Sequence, residues 1–356
     1  MPQNEWSGSI EKIEMVYDRL ADEESQFIFQ NRLMYSRSGD QRFIREMVMG
    51  LMERHGDDDV IRCLQKWIEE RNQEIAVFGA GFAACQIIET LRELGIQASY
   101  LIDNDSRLWG LRRYGMEILS PDTFFGLKAA CGIIIGVNHF VDDIYRQILD
   151  YGINPNDIYR PVRQWWMGKD AQYFDSEIMV PGDCEIFIDG GALDGTDSIH
   201  FIDWCKGKYD GIYAFEPDGL NYGKLMEAGR GKKNFFACQK GLWDRSTELG
   251  FSSGNGESSR ISDEGKTLIK VVSIDEELKG LPVTFIKMDI EGSELKALCG
   301  AEKTIREYKP RLAICVYHGR EDILEIPFKV LEFYPGYRLY LRHYSYVDTE
   351  TVLYAV

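Results

Sequence analysis

From Ser9 to Arg71 apolar side chains return every three or four positions: Ile13, Val16, Tyr17 and Leu20, then Ile44, Met47, Val48 and Leu51, then Ile61, Leu64, Trp67 and Ile68. Charged residues fill the intervals, and Gly39 and Gly56 interrupt them, as in short amphipathic helices bounded by breakers. Residues 1–72 are therefore expected to form a helical segment. At Glu74 the period changes: IAVFG reads as a buried strand, followed by a glycine turn, a helix through Leu94, a strand ASYLID and, after a polar link, a strand GIIIGVN. That alternation predicts a small Rossmann-like α/β module over 73–162. A link, 163–180, aromatic from Gln164 to Phe174, leads to a second α/β zone, 181–356. This zone repeats the alternation from Ile186 and closes with two strands, Tyr337 to Arg342 and Thr351 to Val356. The length agrees, since 356 residues exceed what one core usually supports.

The richest chemistry lies in Glu185 to Thr196, EIFIDGGALDGT, an apolar strand that ends on a carboxylate and enters a glycine-rich loop. Gly190, Gly191 and Gly195 supply backbone freedom and bare surface at a strand-to-helix turn, as nucleotide-binding folds require. Asp189 closes the strand and Asp194 lies within the loop, so a pyrophosphate placed here would face two negative charges as well as amide donors. A cationic cofactor is the better complement. S-adenosylmethionine, with a sulfonium and an ammonium on an adenosine frame, fits that description; a tight turn with solvated acids is the plain alternative. The next strand, GIYAFE, ends at Glu216 before Pro217, 216 − 189 = 27 positions on. A carboxylate at that strand end can accept both ribose hydroxyls of an adenosine.

The first α/β zone has its own glycine turn, GAGFAA at Gly79 to Ala84, with Asp103 ending the following strand 103 − 79 = 24 positions later. The spacing is that of a dinucleotide fingerprint whose acid holds a ribose. About ninety residues suffice only for a half-sized nucleotide fold, so an accessory module that binds nothing or shapes a substrate entrance is the competing reading. His139, after a strand end, could line its crevice or belong to an ordinary loop.

Charge narrows the partners. The chain has 41 Lys and Arg against 58 Asp and Glu, a net charge of −17, with no basic stripe to neutralise a phosphate backbone, which argues against nucleic acid. The eight cysteines stand singly and never as CxxC, which suits reduced thiols in a cytoplasmic protein. The opening MPQNEWSGSIEKIEM lacks the basic and apolar regions of a secretion signal, and no apolar run is long enough to span a membrane. The N-terminal helices with Met47 and Trp67 could form a homo-oligomer face or pack on the first α/β module.

With the loop and Glu216 in place, the segment from Glu185 to Val356 resembles a class I S-adenosylmethionine-dependent methyltransferase. Its motifs FIDGGALDGT, YAFEPD, KGLWD, VVSID and FIKMDIEGSELKAL, with the terminal hairpin, are similar to the FkbM-type methyltransferase family. The expected fold class is α/β: a C-terminal class I methyltransferase Rossmann-like sheet with an antiparallel terminal hairpin, after the small Rossmann-like module and the N-terminal helical segment. The resemblance places Asp189, Gly190, Gly191, Ala192 and Gly195 in the cofactor loop, Glu216 at the ribose, and Leu242 and Trp243 over the adenine. Trp243 would make an apt adenine wall, or an ordinary core tryptophan. Lys287, Asp289 and Glu291 would face the methyl donor from the end of the strand VTFIKMD. Asp289 and Glu291 are not both expected to face the donor. One is expected to cap the helix near Ser293.

Methyl transfer to a hydroxyl is an in-line displacement that needs alignment and a base. His318, ending the strand LAICVYH, is the histidine best placed for that work, or a histidine satisfying a loop. His343 is a second candidate, and with Arg342 it could instead hold a polar acceptor. Asp289, Glu291 and His318 could also chelate a divalent cation, but their spacing is no recognised metal motif, so metal use ranks below the other readings and no metal is assigned. The resemblance implies O-methylation of a sugar, glycan or secondary-metabolite hydroxyl. Two other readings stay open: an NAD(P)-dependent oxidoreductase built on Gly79 to Asp103, and a non-catalytic nucleotide-binding protein.

Overall fold

The computed structural model describes residues 3–55, 59–71, 73–137, 140–160, 171–252, 260–261, 265, 267–345 and 347–356. His139 and residues 163–170 of the link lie outside the described residues. Two compact units form, one from Met1–Met47 with Gly168–Val356 and one from Val48–Met167. The boundaries expected at 72, 162 and 180 therefore shift, and the N-terminal helical segment is divided between the units within the helix Arg42–His55.

In the unit Val48–Met167, apolar runs give strands β1 (Glu74–Phe78), β2 (Ala98–Ile102), β3 (Arg112–Arg113), β4 (Met116–Leu119), β5 (Cys131–Ile135) and β6 (Ile158–Tyr159). They form one sheet in the order β3-β4-β2-β1-β5-β6, parallel except for the short β3–β4 pair. Ala76, Phe78, Ile102, Ile133 and Ile135 bury one face of the sheet with Ile144 and Ile148 of the helix Val141–Asp150. Gly132 is required where Trp67 crosses β5, since a Cβ there would stand 2.6 Å from the indole ring.

The other unit contains β7 (Glu185–Gly190), β8 (Tyr209–Phe215), β9 (Phe235–Cys238), β10 (Gly241–Leu242), β11 (Thr247–Ser252), β12 (Arg260–Ile261), β13 (Thr267–Val272), β14 (Phe285–Met288), β15 (Arg311–Cys315), β16 (Leu339–His343) and β17 (Thr351–Ala355). Seven of them make the sheet β16-β17-β15-β14-β7-β8-β9, parallel from β15 to β9, with β17 antiparallel to both neighbours. The central strands are apolar on both faces because helices or other segments cover both. Phe187 stacks on Phe201 with ring centroids 4.2 Å apart, and Phe174, Trp204 and Phe285 complete the aromatic core. At the amino end of β7 the buried Glu185 pairs with Arg311 at 2.5 Å. A four-stranded sheet, β10-β13-β11-β12, stands between β9 and β14 in the chain. Among the described residues no helix is long and apolar enough to cross a membrane.

The helices Gln3–Tyr17 and Glu23–Ser38 belong with this second sheet. Asp22 caps the latter helix by accepting from the Ser25 N–H at 2.8 Å, and it also pairs with Arg342 of β16 at 2.7 Å. Lys12 pairs with Glu325 at 2.8 Å, and the Tyr35 hydroxyl donates to Asp348 at 2.5 Å. Arg342 also lies 3.4 Å from Glu24, so its charge is committed to the helix rather than free for an acceptor. His343 is buried, with Nδ1 2.8 Å from Thr351 Oγ1. Neither residue reaches the crevice by this arrangement, because β16 is the edge strand and β17 separates it from β15.

Burial and the charge of Arg32 push the His343 pKa down from 6.5 to about 3. Between those values the unfolded chain binds a proton that the folded chain refuses, so this group's effect is nil above pH 6.5 and destabilises the fold as pH falls below it. The expected loss is about 1.4 kcal/mol per pH unit across that window. Urea unfolding at pH 7.5 and 5.5 should show it, and His343→Asn should flatten the difference between the two curves.

Candidate active site

The site lies where β8, β7 and β14 end side by side. β7 terminates on Asp189 and Gly190, and register pairs Asp189 with Lys287 of β14 on one side and Ala214 of β8 on the other. The chain then turns sharply at Gly191, with φ +74°. A side chain is excluded at this glycine: its Cβ would run into the Asp289 carbonyl oxygen, and at Gly190 a Cβ would lie 2.8 Å from Leu242. The result is a bare backbone shelf at the sheet's carboxyl edge. Ala192 is buried and its N–H, like that of Gly191, donates to the Phe215 carbonyl, at 3.0 and 3.1 Å. Gly195, φ +90°, opens the helix Thr196–Trp204 where a Cβ would meet Ala228 at 2.9 Å. These two residues shape the loop through packing.

The charges are arranged differently from the sequence expectation. The Asp189 carboxylate does not stand open on the loop: it is buried, accepts from Ser198 Oγ at 2.6 Å and pairs with Lys287 Nζ at 3.1 Å. Lys287 is equally buried and reaches Asp197 at 3.1 Å and the Gly191 carbonyl at 3.0 Å. Burial opposes its charge, but Asp189 and Asp197 outweigh that and hold the ammonium well above its usual pKa. Lys287 is thus a fixed cation under the loop, not a proton acceptor. Asp194 turns inward to the loop, accepting from Thr196 Oγ1 at 2.7 Å.

Glu216 follows β8 directly and is buried. Its two oxygens accept from the Leu193 N–H at 3.0 Å and the Asp218 N–H at 2.8 Å, which leaves each oxygen a second lone pair. Burial is the main cause lifting its pKa to about 7, so further donors would be well received. Leu242 is buried over Gly190, whereas Trp243 packs among Phe251, Ile269 and Val271 of the four-stranded sheet.

Beyond β14 four ionisable groups converge. His318 Nε2 lies 3.5 Å from Asp289 and 3.8 Å from Glu291, and its Nδ1 lies 2.9 Å from Glu294. Asp289 and Glu291 both approach the same imidazole, against the expectation that only one faces the donor, and the chain turns between them and the helix at Glu291, φ +55°. Neither caps the following helix. That helix has no side-chain cap, and Glu294 at its first position instead accepts from the Ile290 N–H at 2.8 Å. Burial opposes protonation of His318, but Glu294, Asp289 and Glu291 prevail and raise its pKa to about 10. Burial also lifts Glu291 to about 7, while for Asp289 burial is outweighed by His318 and Lys287, which hold it below the usual range.

The family comparison decides what this edge belongs to. Residues 189–347 match the methyltransferase FkbM domain model. Over this stretch the chain is similar to FkbM methyltransferases. A second model, the C2185-like N-terminal domain, matches residues 71–159, and no curated protein matches the chain. Among solved structures, methyltransferase FkbM from Methylobacillus flagellatus KT is 20% identical, with a TM-score of 0.52 over 89% of this chain and 100% of that one, a likeness of fold. An rRNA methylase from Streptococcus thermophilus is 19% identical over 51% of this chain and 90% of that one, TM-score 0.33. Fibrillarin from Aeropyrum pernix, in complex with natively bound S-adenosyl-L-methionine, is 14% identical over 50% and 68%, TM-score 0.33.

S-adenosylmethionine is the methyl donor of FkbM methyltransferases. The residues of the matched stretch fit it: the glycine shelf that a Cβ would fill gives room for an adenosine frame, and Glu216 offers lone pairs where ribose donors would fall. In the other unit, Asp103 accepts from the Ala80 N–H at 2.7 Å and the Asp105 N–H at 2.7 Å, so that acid ties its own glycine turn.

Sequence reading missed Tyr173, Tyr317, Glu294, Asp197 and Ser198. Tyr173, with φ +68°, is buried and donates to Asp289 at 2.8 Å while its ring lies 5.1 Å from Lys287 Nζ. Nothing in the link pointed to it, because the contact spans 116 residues. Asp197 and Ser198, one turn after the loop, were within reach of a helical-face argument.

Lys287→Met leaves Asp189 buried without its cation, which should cost about 3 to 5 kcal/mol in urea unfolding and abolish the loop geometry. The double variant Asp189→Asn with Lys287→Met should recover a large part of that loss.

Proposed function

We propose that the protein transfers a methyl group from S-adenosylmethionine to a hydroxyl oxygen of a small-molecule or glycan acceptor. The observation that carries this reading is the bare Gly190–Gly191 shelf between Glu216 at one strand end and the Asp289 cluster at another. Glycines, a ribose-accepting acid and ionisable groups stand in the order that a nucleoside-based donor and its acceptor require. The match to the FkbM domain model supports methyl transfer; oxygen as the nucleophile rests on the resemblance to a family associated with sugars, polyketides and related metabolites.

When bound, S-adenosylmethionine supplies an electrophilic methyl carbon. In this proposal Glu216 accepts the ribose hydroxyls, and the Gly190–Gly191 backbone admits the nucleoside. Leu242 covers the shelf beside the adenine, with Trp243 behind it. Lys287 and Asp189 keep the loop in place from beneath. Methyl transfer from the bound donor to the acceptor oxygen would release that oxygen's proton, and the carboxylate and imidazole cluster would take it. Glu291 is its receiver, since it is the most exposed of the three carboxylates and touches His318. Asp289, oriented by Tyr173 and Tyr317, aligns the acceptor. Held by its carboxylates, His318 steers the proton rather than standing as a free base. Arg342 and His343 have no part in the acceptor site.

Calorimetry with S-adenosylhomocysteine tests the donor assignment: saturable binding is expected, and none on folded protein rejects it. Glu216→Gln should weaken that binding by about 2 kcal/mol, the worth of a charge-assisted pair of hydrogen bonds. His318→Ala should keep the affinity yet lose turnover, measured as labelled methyl transfer into a metabolite extract; unchanged turnover removes His318 from the mechanism.

A further inference from the structure

We propose that Asp289, Glu294 and His318 form a divalent cation site, with Glu291 at its mouth, suited to Mn2+ and ions of that class. Each of the three offers one ligand atom, and those atoms lie within 4.8 Å of one another. At bond lengths of roughly 2.1 to 2.4 Å, ligand atoms stand about 3 Å apart when adjacent and up to about 4.8 Å when opposite. The cluster has the size of one coordination shell.

A second observation is independent of that convergence. The Glu294 side chain is 1% exposed and that of His318 10%, with His318 Nδ1 set against Glu294 Oε1, yet Glu294 Oε2 makes no hydrogen bond to any described residue. Nδ1 stands 2.9 Å from Glu294 Oε1, an adjacent-ligand spacing, while Oε1 already accepts from the Ile290 N–H. A buried carboxylate oxygen without a partner is costly, and a cation shared by the carboxylate and the imidazole would serve it.

The surroundings agree. Lys287 is committed to Asp189 and Asp197, so the proton on the imidazole is the charge that a cation bound here would displace. The Tyr173 and Tyr317 hydroxyls lie 2.8 and 3.4 Å from the Asp289 oxygens, the kind of outer contact that orients a ligating carboxylate. An imidazole among carboxylates favours Mn2+, Fe2+ or Zn2+ over Mg2+ or Ca2+. The positions 289, 294 and 318 follow no motif because three separate segments supply them: the end of β14, the first turn of the helix Glu294–Cys299, and the loop after β15.

The use of such an ion rests on the methyl-transfer reading: it would bind the acceptor oxygen and ease loss of its proton. Its binding does not depend on that reading. The full-length chain, stripped with chelator, is titrated with MnCl2 and free Mn2+ is followed by electron paramagnetic resonance, with S-adenosylhomocysteine binding measured on the same material. One equivalent bound per chain at micromolar concentration is expected, weakened at least tenfold in Glu294→Gln and in His318→Gln and unchanged in Asp194→Asn. Should Glu294→Gln fail to fold by circular dichroism, Asp289→Asn takes its place. No saturable Mn2+ binding by protein that still binds S-adenosylhomocysteine overturns the cation site and spares the methyl-transfer reading. Binding that persists undiminished in the folded ligand variants overturns it too.

Discussion

A buried lysine between two carboxylates underlies the geometry of the whole crevice. Lys287 ties β14 to the end of β7 through Asp189, to the following helix through Asp197, and to the glycine turn through the Gly191 carbonyl. Three elements that meet only by backbone pairing or packing are thereby fixed at one point, in a medium where the attraction is strong and desolvation is severe. A hydrophobic trio of the same volume would serve stability as well, but it would not hold a carbonyl oxygen in one orientation. The glycine shelf depends on that orientation, because Gly191 turns within contact distance of the Asp289 backbone.

The second determinant is a strained residue. Glu291 adopts a left-handed backbone, which costs of order 1 kcal/mol or more for a residue with a side chain, and Gly292 after it continues at φ +92°. The gain is that Asp289, Glu291 and Glu294 all reach His318. Support comes from outside the matched FkbM domain, since Tyr173 enters from the segment before it and orients Asp289.

The N-terminal helices show how a correct local pattern can leave assembly open. Their periodicity marks an apolar face without saying which surface it covers. Asp22, Lys12 and Tyr35 find partners in Arg342, Glu325 and Asp348, so the first two helices join the C-terminal sheet, while Trp67 lies over Gly132 in the other unit. The three pairings with the C-terminal sheet and its helix span 313 to 320 residues and leave no mark on composition. They also withdraw Arg342 from the acceptor role that its position beside His343 had suggested. The strands, by contrast, were visible, because runs such as IFIDG and LAIC are apolar without interruption and end at glycine, proline or acid. The small sheet from β10 to β13 was not separated from its surroundings, since its short strands carry mixed patterns.

Sequence alone determined the strand and helix alternation, the glycine turn after β7, the acid after β8 and the family resemblance, because each is written in residues close along the chain and rests on backbone sterics and burial period. Tertiary structure alone decided what the charges do. Asp189 became a partner for Lys287 instead of a face for a cofactor, three carboxylates came to favour the charged form of His318, and Glu294 entered the cluster unannounced. Electrostatics in a buried site depends on distance through space and on exclusion of water, and neither is encoded in spacing along the chain.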